Sequence, residues 1–338
     1  MRHRLSHRRY LLPFRSPVRT AHGLWTEREG VYLRVEDERG GIGFGEVAPI
    51  PWFGTETVET ALEVIERLAG EIDEERLGLV PAGFACVKGA LAAAMSDASG
   101  RAPAPSTADY LTVAALLPAG RAAFPVVRDR AEAGFRVFKW KVGVSDAADE
   151  RAMLDDLIAA LPEGARLRLD ANGAWDRRTA ERWLARCAEG PVEFVEQPVA
   201  PGVRGADDLL LGLAGDFPTP IALDESIVAD GDVERWLGAG WPGVFVIKPS
   251  LLALPGACCE ALARAKAKVV FSSALETALG ARAALRHAFA WTGERLALGM
   301  GVWPLFADSR FDGPPCLPFL RRVQVDDLDP TTPWNALN

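Results

Sequence analysis

Three lysines and three carboxylates punctuate the middle of this 338-residue chain: Lys139, Lys141, Asp170, Glu196, Asp224 and Lys248. Each stands at or just past the end of a short apolar run that reads as a β-strand. The runs are Arg136-Val-Phe, Arg166-Leu-Arg-Leu, Val192-Glu-Phe-Val, Ile221-Ala-Leu and Val244-Phe-Val-Ile. From Asp170 onward the charged residues recur every 24 to 28 residues, the length of one strand, one helix and two loops. Parallel strands rolled into a barrel bring such residues to one rim, where barrel enzymes carry their active sites. Three carboxylates there, with no His or Cys among them, suit Mg2+ or Mn2+ rather than zinc. Amines beside them supply proton transfer.

Each piece alone has an ordinary explanation. An isolated Lys-x-Lys is usually an edge strand with two solvated amines. Asp170-Ala-Asn172, Glu196-Gln197-Pro198 and Asp224-Glu225-Ser226 would pass individually for turn residues or helix caps. The set carries the argument. In Phe138-Lys139-Trp140-Lys141 the two-residue period of a strand sends both lysines to one face. If they point into a polar mouth, each ammonium disfavours the other's charge, and a lysine with a lowered pKa acts as a base near neutral pH. Clustered carboxylates in turn require a counter-ion.

The elements that must hold these residues divide in two. Up to about Ser99 the pattern reads strand, strand, strand, helix, helix. Strands are expected near Arg9–Phe14, Val31–Glu36 and Ile42–Glu46, with Glu38-Arg-Gly-Gly as a hairpin turn. A helix is expected over Thr55–Gly70, with Val58, Leu62, Ile65 and Leu68 on one face. An alanine-rich helix, apolar nearly all round and therefore buried, is expected over Ala85–Ala98. Arg101-Ala-Pro-Ala-Pro-Ser-Thr reads as a linker. Beyond it strand and helix patterns alternate: Leu111–Leu117, Arg121–Ala133, Phe135–Lys141, Ala147–Leu161, then strands ending at Asp170, Glu196, Leu223, Ile247 and Phe271, and a last one at Arg295–Leu298. The expectation is an α/β fold, a modified TIM barrel of (β/α)7β type with an α+β capping domain. The divisions expected are residues 1–100 for the cap, 101–305 for the barrel and 306–338 for a segment returning toward the cap. A doubly wound sheet would carry a phosphate loop after an early strand. Gly41-Ile-Gly-Phe-Gly lies inside a strand pattern and opens no helix.

Composition narrows the class. With 49% hydrophobic and 25% charged residues the chain is globular. No apolar run reaches the ~20 residues needed to cross a bilayer, so no membrane partner is expected. No signal-peptide core follows the basic start before Pro13. The net charge of −8 opposes nucleic-acid binding despite four early arginines. Five cysteines form no C-x-x-C pair, which disfavours disulfides and structural zinc and fits a reducing cytoplasm. Monomer and homo-oligomer both stay open.

The ordered set Lys-x-Lys, Asp-Ala-Asn, Glu-Gln-Pro, Leu-Asp-Glu-Ser and Ile-Lys-Pro resembles the enolase superfamily, in its muconate-lactonizing-type branch with a lysine on each side of the substrate. The resemblance spans almost the whole chain, including Gly45-Glu46-Val-Ala-Pro49 in the cap. The mandelate-racemase-like branch needs a late catalytic histidine, and His287, the only late one, lies mid-helix. Phe271-Ser-Ser-Ala-Leu-Glu-Thr277 and Leu298-Gly-Met-Gly301 resemble the o-succinylbenzoate synthase family of hydro-lyases. Dipeptide epimerases usually carry Asp-x-Asp after the last strand; this chain has Gly299-Met-Gly-Val-Trp-Pro. N-acylamino acid racemases and muconate cycloisomerases share the scaffold. A metal-binding barrel without turnover is the non-enzymatic alternative, and three lysines beside the cation argue against it.

The resemblance implies a small carboxylate substrate. It implies Mg2+ on Asp170, Glu196 and Asp224, Lys141 as the base removing the proton α to the carboxylate, Lys139 holding Lys141 partly neutral, and Lys248 beside the enolate. Asn172, Gln197 and Glu225 are expected to orient ligands and lysines. Ser272 and Ser273 are expected near a second substrate carboxylate. Cap segments Arg19–Trp25 and Pro49–Gly54 are expected to cover the mouth, with Arg19 meeting an anionic substrate or standing as a solvated charge.

Overall fold

Glycine at every second position of Gly41-Ile-Gly-Phe-Gly clears one face of a strand, and the alanine-rich helix lies directly on that face. A Cβ at Gly41, Gly43 or Gly45 would fall inside contact distance of the carbonyl oxygens of Ala98, Ala94 and Ala90 respectively. The motif therefore serves backbone-to-backbone packing. In the computed structural model, which describes residues 2–20, 23–100 and 108–337 (side chains of residues 19 and 20 excepted), this contact organises the cap. β1 (His3–Thr20), β2 (Gly23–Asp37), β3 (Ile42–Val47) and, beyond α1 (Val58–Arg67), the short β4 (Glu71–Ile72) form an antiparallel sheet in the order β3-β2-β1-β4. α2 (Glu74–Gly78) and α3 (Ala85–Ala98) complete it. α1 starts where Thr57 caps it through the amide of Thr60 at 3.2 Å. Neither β4 nor α2 was expected; both are too short to carry a periodic signal. The linker expected at Arg101–Thr107 lies outside the described residues.

The strand expected over Leu111–Leu117 is two strands. β5 (Tyr110–Thr112) pairs antiparallel with a distant partner, Phe319–Arg321, whereas β6 (Ala115–Leu117) pairs parallel with Val137–Lys141. The chain changes sheets at Val113-Ala114, whose amides go to Pro318 and Leu298. A run that is apolar but for Thr112 hides that switch. After β6 come α4 (Ala123–Glu132), β7 (Val137–Lys141), α5 (Ala147–Ala160), β8 (Arg166–Asp170), α6 (Arg177–Cys187), β9 (Val192–Glu196), α7 (Ala206–Asp216), β10 (Ile221–Leu223), α8 (Asp230–Gly238), β11 (Val244–Ile247), α9 (Pro255–Arg264), β12 (Lys268–Phe271) and α10 (Ala278–Ala290). Strands β6 to β12 are parallel neighbours in chain order. The eighth strand, expected at Arg295–Leu298, forms only bridges: Leu298 to Val113 and Gly299 to Ser272. Those bridges close the ring on both sides, through Ala114 N to Leu298 O at 2.9 Å and Gly299 N to Phe271 O at 2.8 Å. The (β/α)7β barrel with an α+β cap is the observed architecture. β13 (Phe319–Arg321), α11 (Arg322–Asp326) and α12 (Thr331–Asn335) follow, and Trp334 of α12 packs under Arg8 of β1 at 4.4 Å.

Two buried polar residues fasten cap to barrel across long sequence separations. Glu46, from β3, accepts from Thr277 Oγ1 at 2.6 Å and from the Gly280 amide at 2.7 Å, at the N-terminus of α10. Arg28, from β2, donates to the carbonyls of Ala48, Pro49, Ala274 and Leu275.

Candidate active site

β7 alternates as its sequence demands: Phe138 and Trp140 are fully buried on one side and Lys139 and Lys141 point to the other. The parallel register then sets Lys141 beside Asp170 and Asp170 beside Glu196. Asp224 follows the last residue of β10, and Lys248 the last residue of β11. The six residues expected to converge do converge at the strand ends, and all but Lys139 and Lys141 are buried by the residue's total exposure.

Lys139 Nζ lies 2.8 Å from Asp170 and 2.7 Å from Glu196, and Lys248 is in direct contact with Asp224. Burial opposes the charge on Lys139, but Asp170 and Glu196 outweigh it and raise the ammonium above the ordinary lysine range. The mutual repulsion expected of the two lysines therefore falls on Lys141 alone. Its pKa is lowered, first by burial and then by Lys139, against the pull of Asp170. Burial pushes Lys248 down to about 8. Its Nζ also sits 5.1 Å over the ring of Phe53, in the cap segment Pro51–Phe53.

The acids are short of positive charge. Burial and then Asp170 raise Glu196. Burial and Asp170 push Glu225 up to about 7. Asp170, Glu196, Asp224 and Glu225 carry four potential negative charges against three lysines. Asn172 Oδ1 and Glu225 Oε2 are buried without a hydrogen-bond partner. Among the described residues no three side chains form a metal-ligand group, and the ammoniums of Lys139 and Lys248 engage the carboxylates directly. The donor chemistry still fits a hard divalent cation: oxygen donors on three adjacent strand ends, with a charge deficit that the cation would fill.

Of the expected supporting residues, Asn172, Gln197 and Glu225 stand around these. Asn172 and Gln197 both hold left-handed backbone, at φ 44° and 38°, a conformation that branched or bulky residues avoid. Asn172 Nδ2 donates to Glu225 at 2.9 Å. Gln197 Oε1 accepts from the amides of Asp224 at 3.0 Å and Ser226 at 3.1 Å, and so fixes the turn that carries Asp224. Ser272 and Ser273 stand at the end of β12, but their hydroxyls serve their own surroundings: Ser272 donates to Gly299 O, and Ser273 to Glu276. The backbone of Arg19 pairs with Leu24 in the β1–β2 ribbon; its side chain lies outside the described residues. Segment Pro49–Gly54 reaches the site through Phe53, and Trp52 packs edge-on against Trp25 at 4.6 Å.

Three contributors carried no expectation. Glu150, fully buried, accepts from the amides of Gly143, Val144 and Ser145 and ties down the loop just beyond Lys141. Glu276, also fully buried and pushed up to about 7 by burial, adds its field to Lys248. Arg28 holds the loop after β12. All three act across loops, where spacing carries no signal. His287, expected as a helical surface or core residue, lies in α10 outside the site, its imidazole pushed down to about 4 by burial. All five cysteines are free.

Residues 125–316 match the family described as "Enolase C-terminal domain-like", and residues 2–86 match the MenC N-terminal domain. An o-succinylbenzoate synthase from Thermosynechococcus vestitus is 42% identical over 87% of this chain and 90% of its own. A hydrophobic dipeptide epimerase from Roseobacter litoralis is 32% identical over 65% of this chain and 67% of its own. A crystal structure of an o-succinylbenzoate synthase from Thermosynechococcus elongatus, complexed with Mg in its active site, superposes with a TM-score of 0.81 at 37% identity, covering 98% of this chain and 99% of the other.

Proposed function

The chain belongs to the o-succinylbenzoate synthase family within the enolase superfamily, and from this we infer that it is a hydro-lyase of menaquinone biosynthesis. Its reaction is the dehydration of 2-succinyl-6-hydroxy-2,4-cyclohexadiene-1-carboxylate to 2-succinylbenzoate. The observation that carries the reading is the pairing of a depressed-pKa lysine, Lys141, with a carboxylate-rich rim under a fastened cap. Mg2+, with Mn2+ as its substitute, would be held by Asp170, Glu196 and Asp224, and when bound it supplies Lewis-acid stabilisation of charge on the substrate carboxylate.

The remaining chemistry falls to the chain. Lys141, neutral in its working state, takes the proton α to the substrate carboxylate. Lys139, kept charged by Asp170 and Glu196, adds positive field beside the developing enediolate. Lys248 stands across from the paired lysines, beneath Phe53, and faces the opposite side of the substrate ring. The departing β-hydroxyl takes the proton back from Lys141 and leaves as water. The C–O bond breaks with its electron pair on oxygen, and the ring becomes aromatic. Phe53, Trp52 and Trp25 cover the mouth and keep water out. The five free thiols support a cytoplasmic location.

The test is direct assay on the cyclohexadiene substrate with Mg2+, following the aromatic acid by ultraviolet absorbance. Lys141→Ala should lower kcat by about 10²- to 10⁴-fold, the range for a lost general base, with the fold retained by circular dichroism. Unaltered turnover removes Lys141 as the base. A second reading, epimerisation of a dipeptide or an N-acylamino acid, has its own support: a lysine of lowered pKa stands on each side of the site, and the Roseobacter relative is an epimerase. Incubation in D2O separates the two, because an epimerase washes deuterium into recovered substrate.

A further inference from the structure

None of the six clustered residues lines a cavity of about 730 Å3 between α3, α9 and α10. Helices in full contact pack about 8–10 Å apart through interdigitating side chains. Here the facing positions are short: Ala92 and Ala93 on α3, Gly256 on α9, Ala283 on α10. The opening they leave is the size of an ordinary small-molecule site. One wall is apolar, with Phe44, Leu279 and Trp291.

The other wall carries an unbalanced charge. Asp97 accepts from Arg282 at 3.1 Å through both oxygens and from Arg286 at 2.9 Å. One carboxylate thus answers two guanidiniums, whose side chains are only 15% and 22% exposed. Arg282 Nε is buried with no partner. Among the charged residues that line the cavity, three arginines, Arg264, Arg282 and Arg286, stand against two carboxylates, Asp97 and Glu260. Glu260 and Arg264 pair with each other at 3.8 Å on the exposed rim. Asp329, which is outside the lining, is attracted to Arg282 but is held by hydrogen bonds from Thr331 and Thr332 rather than by a bond to either guanidinium.

We propose that this cavity binds a small amphipathic carboxylic acid, its carboxylate against Arg282 and Arg286 and its apolar body over Phe44, Leu279 and Trp291. The planar fork of arginine suits a carboxylate, and the surplus there is a single charge. The site is independent of the reaction centre, yet its walls continue the segments that bear it. Leu279 lies three residues beyond Glu276, and Ala253 five beyond Lys248.

The probe is 1-pyrenebutyrate, titrated into the full-length Mg2+-loaded protein and followed by fluorescence anisotropy, with 1-pyrenebutanol as the uncharged counterpart. Saturable one-to-one binding is expected, about tenfold or more tighter for the acid than for the alcohol. Arg286→Met should erase that preference, and Ala93→Phe, which fills the opening from another helix, should abolish binding even if the arginine variant fails to fold. Lys248→Ala should leave the titration unchanged. The proposal is overturned by equal affinity for acid and alcohol, by binding that survives Ala93→Phe, by loss of binding in Lys248→Ala, or by no binding at all.

Discussion

Replacing Lys139 with methionine keeps most of the length of the side chain and removes one charge that serves two carboxylates. Its Nζ is 2.8 Å from Asp170 and 2.7 Å from Glu196, whose side chains are 11% and 3% exposed. Removing one partner of a buried ion pair costs about 3–5 kcal/mol, because the other charge is left uncompensated. Lys139 retains 15% exposure, which places the expected loss near the lower end, about 3 kcal/mol in chelator-treated buffer at neutral pH. With a urea slope of about 3 kcal/mol per molar, the midpoint should fall by about 1 M. Added Mg2+ should narrow the gap between variant and parent, because a divalent cation answers the same carboxylates. A ligand at a hundredfold its Kd returns about 2.7 kcal/mol. Lys141→Met is the control: its ammonium is already disfavoured by burial and by Lys139, so its removal should shift stability by less than about 1 kcal/mol. Urea unfolding followed by tryptophan fluorescence, with and without Mg2+, reads all of these. If Lys139→Met is as stable as the parent without metal, or if Mg2+ leaves the gap untouched, the charge balance described for this rim is wrong.

Gly43→Ala should destabilise by about 1–3 kcal/mol, since its Cβ would press on the carbonyl of Ala94 in α3; thermal unfolding measures it, and an unchanged midpoint would mean that α3 does not rest on β3. Arg28→Met should cost about 3 kcal/mol by leaving the buried carbonyls of Ala48 and Ala274 without their donor, and should raise KM more than it lowers kcat if the cap then closes less firmly. His287, held down to about 4 by burial against about 6.5 in an unfolded chain, makes stability fall as pH drops from about 6.5 toward 4. In that window the unfolded chain binds the extra proton, so stability rises with pH. His287→Gln should flatten that part of the urea-midpoint profile, and identical parent and variant slopes would contradict it.

The charged rim was legible because strand ends announce themselves twice, by the close of an apolar run and by the charged residue that follows. The strands ending at Asp170, Glu196, Leu223, Ile247 and Phe271 end there in the structure. Expected and observed bounds agree for Ala85–Ala98 as well, where the high helix propensity of alanine, rather than a periodic pattern, marks the run. Legibility failed where the partner decides. Leu111–Leu117 is apolar except for Thr112, and only the choice of neighbours splits it. Arg295–Leu298 reads as a strand but meets its neighbours only at Leu298 and Gly299. The lysine pair looked symmetric along the chain, yet Asp170 and Glu196 approach Lys139 and give the two amines opposite fates. Glu150, Glu276 and Arg28 work through backbone amides and carbonyls, which every residue possesses and no pattern reveals.

The fastening of Glu46 into the first turn of α10, and of Arg28 onto the carbonyls after β12, bears on how such proteins diversify. A lid borrowed from another barrel would arrive with its acid facing a helix start that lacks the matching threonine, or with its guanidinium over the wrong loop. Plug and socket must therefore be inherited together, and new substrate preferences are more easily reached by altering aromatic residues at the lid's tip than by exchanging the lid itself.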